Sequence, residues 1–161
     1  MDSLEKILSS IDPDIIALCE TRKGGRLKED ELQVYEVKER NAKPGKEGLL
    51  VGVRKNSFVS LRDITDTEMK NVLTVHIEYP NFYLRVIIAH APQETANVEE
   101  RVEFFEELMV QVERGDASGD QVLLLGDFNA RLVSDLNSVN AESSPNGKLM
   151  ADVIQKYSMQ Y

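Results

Sequence analysis

The sequence predicts one α/β domain, a mixed sheet with helices packed outside it. Three observations carry that reading. The chain has 161 residues, of which 42% are apolar and 29% charged, the size and composition of one globular domain. Two short continuous apolar runs, Ile15–Cys19 and Gln121–Leu125, have the length and flanks of buried strands. Between them, one segment alternates apolar and polar residues and another repeats its apolar residues at helical period. Strict β-α-β alternation does not fit the middle of the chain, and neither a G-x-G-x-x-G nor a G-x-x-x-x-G-K-[ST] phosphate loop is present.

The elements follow in order. Leu4, Ile7, Leu8 and Ile11 have the spacing of an amphipathic helix, with Asp2 and Glu5 at capping-box distance and Asp12-Pro13 as its stop. Ile15–Cys19 is a strand buried on both faces. Lys23–Glu31, with Gly24-Gly25, reads as a loop, and Leu32–Val37 as a short strand. Asn41–Gly48 reads as a turn. Gly48–Val53 and Ser57–Leu61 are the next strands. Val72–Tyr79 alternates, and Tyr83–His90 returns after Pro80-Asn81, which makes an antiparallel hairpin. Val98, Val102, Phe105, Leu108, Met109 and Val112 mark a surface helix whose other face is acidic. Arg114–Asp120 reads as a loop, Gln121–Leu125 as a second fully buried strand, and Gly126–Ala130 as a sharp break. Arg131–Pro145 reads as an exposed loop. Asn146-Gly147 then precedes a last helix with Leu149, Met150, Val153, Ile154 and Tyr157 on one face.

Composition excludes several classes. No apolar run approaches the ~20 residues that span a bilayer, so no membrane helix is expected. The N-terminus MDSLEKILSS lacks the apolar segment of a secretory signal. Cys19, the one cysteine, leaves no internal disulfide and no zinc cluster, and an intracellular setting is expected. Net charge is -9, from 28 acidic and 19 basic residues, which argues against a passive nucleic-acid coat. The charge is unevenly spread. Arg22–Arg62 holds eleven Lys/Arg against six Asp/Glu, whereas Glu94–Asp120 holds two against nine. The first segment suits a phosphate backbone and the second suits solvent, although two solvated stretches of unrelated sign would look the same.

The residues that invite chemistry sit at strand ends. Glu20 ends the first buried strand and Asp127 the second, where open α/β sheets place ligands. Two convergent carboxylates suit a hard cation such as Mg²⁺. Either alone also reads as a polar strand end. Asp127-Phe128-Asn129 sharpens the case: with Phe128 turned inward and the chain extended, Asp127 and Asn129 emerge on one side. A carboxylate that orients water beside an amide that donates to a phosphoryl oxygen suits attack on a phosphodiester. His90 ends a third apolar strand, where it can donate to phosphate or protonate a leaving group, or be structural. His76 reads as surface, Cys19 as core.

Five segments together form a recognisable set: Pro13–Thr21 (PDIIALCET), Gly48–Lys55 (GLLVGVRK), Val86–Gln93 (VIIAHAPQ), Leu123–Arg131 (LLLGDFNAR) and Asn146–Leu149 (NGKL). In this order they resemble the endonuclease/exonuclease/phosphatase superfamily, which includes DNase I-like nucleases and apurinic/apyrimidinic endonucleases. Their wording is closest to the endonuclease domains of non-LTR retrotransposons. The resemblance runs from residue 13 to about 157 and rests most on the G-D-F-N turn. It implies a four-layer α/β/β/α sandwich, Glu20 as a Mg²⁺ ligand (with Mn²⁺ as substitute), and Asp127 and Asn129 as the pair that aligns water and binds phosphate. It implies DNA as partner, no membrane, and a nuclear or cytoplasmic site of action.

The sequence also departs from the pattern. His90 falls where the retroelement and apurinic endonucleases carry tyrosine, and its place before Ala91-Pro92 is similar to the histidine of DNase I-like nucleases. Cys19 stands where glutamine precedes the metal-binding glutamate. The family's first strand, and its later Asp and Ser-Asp-His segments, have no counterpart here, so an incomplete sandwich is expected. Two other functions share the scaffold: an inactive remnant serving as an interaction module, and a phosphatase or lipid phosphodiesterase.

Overall fold

The computed structural model describes residues 4–21, 32–40, 48–65, 69–132 and 142–160. The loop expected over Lys23–Glu31, the turn over 41–47 and most of the loop after Arg131 lie outside them. The described elements are α1 (Leu4–Ile11), β1 (Ile15–Cys19), β2 (Tyr35–Arg40), β3 (Leu49–Arg54), β4 (Ser60–Thr65), β5 (Val72–Tyr79), β6 (Phe82–His90), α2 (Val98–Ser118), β7 (Gln121–Asp127) and α3 (Pro145–Lys156).

The strands form two sheets, ordered β1-β3-β2 and β4-β5-β6-β7. Every pairing is antiparallel except β6 with β7. The expected hairpin is present, with Tyr79 opposite Phe82 across Pro80-Asn81. Alternation along the strands assigns side chains to layers. Leu49, Val51 and Val53 of β3 meet Leu73, Val75 and Ile77 of β5 and Val86 and Ile88 of β6 between the sheets. The opposite face of the smaller sheet, with Ile16, Tyr35 and Leu50, packs against Leu32 and Leu8 of α1. The outer face of the larger sheet, with Val72, Ile87 and Ala89, is covered by Phe104, Phe105, Leu108 and Val112 of α2 and by Met150 and Val153 of α3. Each fully buried side chain of this kind contributes roughly 1.5–3 kcal/mol relative to exposure. The layers are therefore α, β, β, α, as the resemblance implies.

Several elements differ from expectation, each for a tertiary reason. β7 is half exposed, not fully buried, with Leu123 37% accessible, because it is the outermost strand of its sheet. The same edge position leaves β1 only partly covered. In α1, Ile7 and Ile11 stay exposed and Leu8 makes the core contact. β2 and β4 each begin about three residues later than the patterns suggest.

The helix α2 continues through the expected Arg114–Asp120 loop and stops at left-handed Gly119. Gly115, which reads as a loop residue, lies inside it. A β-carbon there would come within 2.6 Å of Val122 and 2.8 Å of Arg85, so the helix approaches the sheet closely at that point. Behind it, Asp120 accepts from Arg85 Nε at 3.2 Å and contacts His76 Nε2 at 2.9 Å. His76 is thus half-buried and engaged, not a surface residue. α3 begins at Pro145 with Ser144 as its cap, so Asn146 and Gly147 are inside the helix and not before it.

Candidate active site

Three strand ends meet at one end of the sandwich. β6 and β7 run parallel in a register that sets His90 opposite Asp127. β1, in the facing sheet, ends at Cys19, whose Sγ donates to the Ala89 carbonyl at 3.7 Å and so links the two sheets. Glu20 follows with a left-handed backbone (φ 54°), and its Oε1 lies 3.6 Å from His90 Nε2. A left-handed residue other than glycine or asparagine is uncommon and marks a position held by its surroundings. A cleft of about 380 Å³ opens between β1 and β7, lined by Cys19, Leu125, Gly126 and Asp127.

Gly126 permits the close join. Its φ is +143°, and a β-carbon there would lie 1.9 Å from the Ala89 carbonyl oxygen. Glycine alone allows β7 to lie this close to β6 one residue before Asp127.

The Asp127–Asn129 segment is not extended, which corrects one expectation. Asn129 is left-handed (φ 44°), a conformation asparagine tolerates. Asp127 Oδ1 accepts the Asn129 backbone N–H at 2.9 Å, and Asn129 Nδ2 donates to the Ala91 carbonyl at 2.8 Å. Ala91 N–H donates to the Asp127 carbonyl at 2.8 Å. The turn that breaks β7 is therefore stitched to the segment that follows β6. Phe128 packs against the α2–α3 core, as its apolar character suggests.

The four predicted residues differ in setting. His90 is buried, Glu20 is partly exposed, Asp127 is exposed, and Asn129 is intermediate. Burial pushes the Cys19 thiol above its ordinary range. A hydrogen bond from the Asp127 backbone opposes the shift, and the charges of Asp127 and Glu20 add to it. Cys19 is therefore a neutral thiol near neutral pH and a poor nucleophile or metal ligand.

Among the described residues no group of three or more His, Cys, Asp or Glu converges as a metal cage. Among the described residues, the carboxylates at this end are those of Glu20 and Asp127. That set fits Mg²⁺, which takes one or two carboxylates and completes its shell with water and substrate phosphate.

Among its described residues the basic segment Arg22–Arg62 divides, and Arg22, Lys23, Arg26, Lys28, Lys43 and Lys46 lie outside them. Arg54 pairs with Asp12 and Asp14 at the far end of the sandwich, and Arg62 pairs with Glu78 at 2.5 Å. Arg40 is at the site's end, donating to the Val72 carbonyl at 2.9 Å. One residue of the site has no role in the sequence reading. Asn146 is fully buried and bonds to the loops that follow β6 and β7, at Pro92 and Phe128. Its signal in the sequence is the N-G-x-L segment.

The fold is shared with solved structures of DNA-processing proteins. An AP endonuclease from Archaeoglobus fulgidus superposes with a TM-score of 0.70 at 14% identity, covering 94% of this chain and 63% of that one. The 3' phosphatase NExo from Neisseria, bound to a product DNA hairpin, gives 0.70 at 16% identity, covering 94% and 64%. Humanized D. rerio TDP2 gives 0.65 at 19% identity, covering 80% of this chain and 54% of that one, so the chain spans about half the length of that relative. No curated protein matches the sequence significantly. The Endonuclease/Exonuclease/phosphatase family model matches residues 1–147, nearly the whole chain, and the protein belongs to that family.

Proposed function

We propose that this chain is a divalent-metal-dependent phosphodiesterase that cuts DNA, with Mg²⁺ as its resident cation and Mn²⁺ as substitute. The observation that supports this reading is the position of His90, in register with Asp127 and 3.6 Å from Glu20, where β1, β6 and β7 end. Glu20, with Asp127 nearby, would hold the cation. When bound, the cation supplies charge stabilisation to the phosphoryl group and the leaving oxygen.

The chain's own residues account for the rest. The Asn129 N–H fixes one oxygen of Asp127, which orients the other toward a water and lets the carboxylate take its proton. Asn129 uses one amide hydrogen on Ala91 and has a second for a phosphoryl oxygen. His90, when protonated, donates to phosphate or to the leaving oxygen. In-line attack forms a bond from the water oxygen to phosphorus as the bond to the leaving oxygen breaks. DNA is favoured as substrate by Arg40 at the site's end and by the retroelement-like wording of VIIAHAPQ and GDFNAR, which also supports an intracellular, retroelement-type role.

Supercoiled plasmid tests the reading. Nicking in Mg²⁺, none in EDTA, and none by Asp127→Ala is the expected result. Hydrolysis of phosphoinositide or sphingomyelin with plasmid left intact would move the substrate to lipid.

A further inference from the structure

Asn146 lies in the first turn of α3 with no accessible surface. Its Nδ2 donates to the Pro92 carbonyl at 2.9 Å and to the Phe128 carbonyl at 3.3 Å. Pro92 is two residues beyond His90, and Phe128 lies between Asp127 and Asn129. One side chain therefore ties together the two loops that leave β6 and β7 at the site. Its Oδ1 accepts from Arg101 Nη1 at 3.3 Å.

Arg101 is unusual in its own right. It occupies the buried stripe of α2, whose other members include Phe104, Phe105, Leu108 and Val112. Its Nε finds no hydrogen-bond partner among the described residues. A guanidinium at this depth is costly to bury, so a leucine would be the more stable choice if packing were all that mattered. The arginine fixes which way the Asn146 carboxamide points, with oxygen toward α2 and both amide hydrogens toward the loops.

We propose that Asn146, oriented by Arg101, is a positioning residue that sets the spacing between His90 and the Asp127–Asn129 turn. The catalytic part of this assignment rests on the phosphodiesterase reading; the mechanical part does not. A shift of about 1 Å between reacting groups is enough to cost on the order of 100-fold in rate.

Asn146→Asp separates positioning from packing. The aspartate keeps the shape and the acceptor for Arg101, but it loses both donations and sets a carboxylate against two carbonyls. Two readouts are taken on the folded variant. Amide hydrogen exchange at Ala91, whose N–H donates to the Asp127 carbonyl at 2.8 Å, is expected to speed up about tenfold or more, while Val86 and Ile87 in mid-β6 are unchanged. Plasmid nicking is expected to fall about 100-fold in kcat with little change in KM. Arg101→Lys, which keeps charge but not the planar donor, is expected to show both effects in weaker form, and it serves as the test if Asn146→Asp does not fold. Unchanged exchange at Ala91, or faster exchange throughout the sheet, overturns the positioning role. If the unsubstituted chain does not nick plasmid at all, the nuclease reading fails and exchange alone decides the role of Asn146.

Discussion

Gly126→Ala is a one-carbon test of how the site is joined. The added methyl would sit 1.9 Å from the Ala89 carbonyl oxygen, where real β-carbons keep at least 3.0 Å, so β6 and β7 must part by about 1 Å. Ala89 is fully buried and packs in the core under α2 and α3, so β6 cannot retreat without disturbing those contacts. Forcing a β-carbon into this positive-φ region costs roughly 1–3 kcal/mol, and overpacking against a buried strand costs a similar amount. The sum is about 2–6 kcal/mol, a large part of the ~5–15 kcal/mol that stabilises an ordinary domain. For a chain of this length each kcal/mol moves Tm by about 2–4 °C, so a loss on the order of 10 °C is expected by calorimetry. Because the next residue is Asp127, opposite His90, the variant is also expected to lose about 100-fold in nicking rate at temperatures where it is folded. A Tm within about 2 °C of the parent, with full activity, would refute the claim that a close backbone approach builds the site.

Asp120→Leu leaves buried Arg85 without the carboxylate 3.2 Å away and is expected to cost about 3–5 kcal/mol in urea unfolding, with much of the loss recovered in the Arg85→Leu/Asp120→Leu pair. Gly115→Ala, despite its better helix propensity, is expected to destabilise rather than stabilise, because the methyl meets Val122 and Arg85; a raised Tm would contradict that packing. Arg40→Ser should reduce the slope of log affinity for DNA against log salt by about 1 if this side chain meets a phosphate, and an unchanged slope would remove it from the interface.

Much of the fold was legible because periodicity reports burial directly. The Val72–His90 hairpin, the α2 stripe and the runs that became β1 and β7 all show in the residues. What was not legible depends on neighbours in space. An edge strand and a central strand can carry the same apolar run, so LLL in β7 does not say which it is. Gly115 reads as a loop until Arg85 and Val122 are seen against it. His76 looks solvent-facing by alternation, and only the return of the chain at Asp120 gives it a partner. At the site, strand-end positions pointed to Glu20, His90 and Asp127, but the left-handed turn at Asn129 arises from bonds to Asp127 and Ala91. Arg101 carried a local signal, a cation at core spacing in an acidic helix, that gains meaning only with Asn146 beside it.

The division of labour between Glu20 and Asp127 is tested most directly by nicking rate against Mg²⁺ concentration for the parent, Glu20→Gln and Asp127→Ala. If Glu20 holds the cation, Glu20→Gln raises the Mg²⁺ midpoint about tenfold or more and recovers rate at high Mg²⁺. If Asp127 handles the water, Asp127→Ala loses on the order of 10²–10⁴ in rate at every Mg²⁺ concentration. Parent-like curves for both variants would contradict the account.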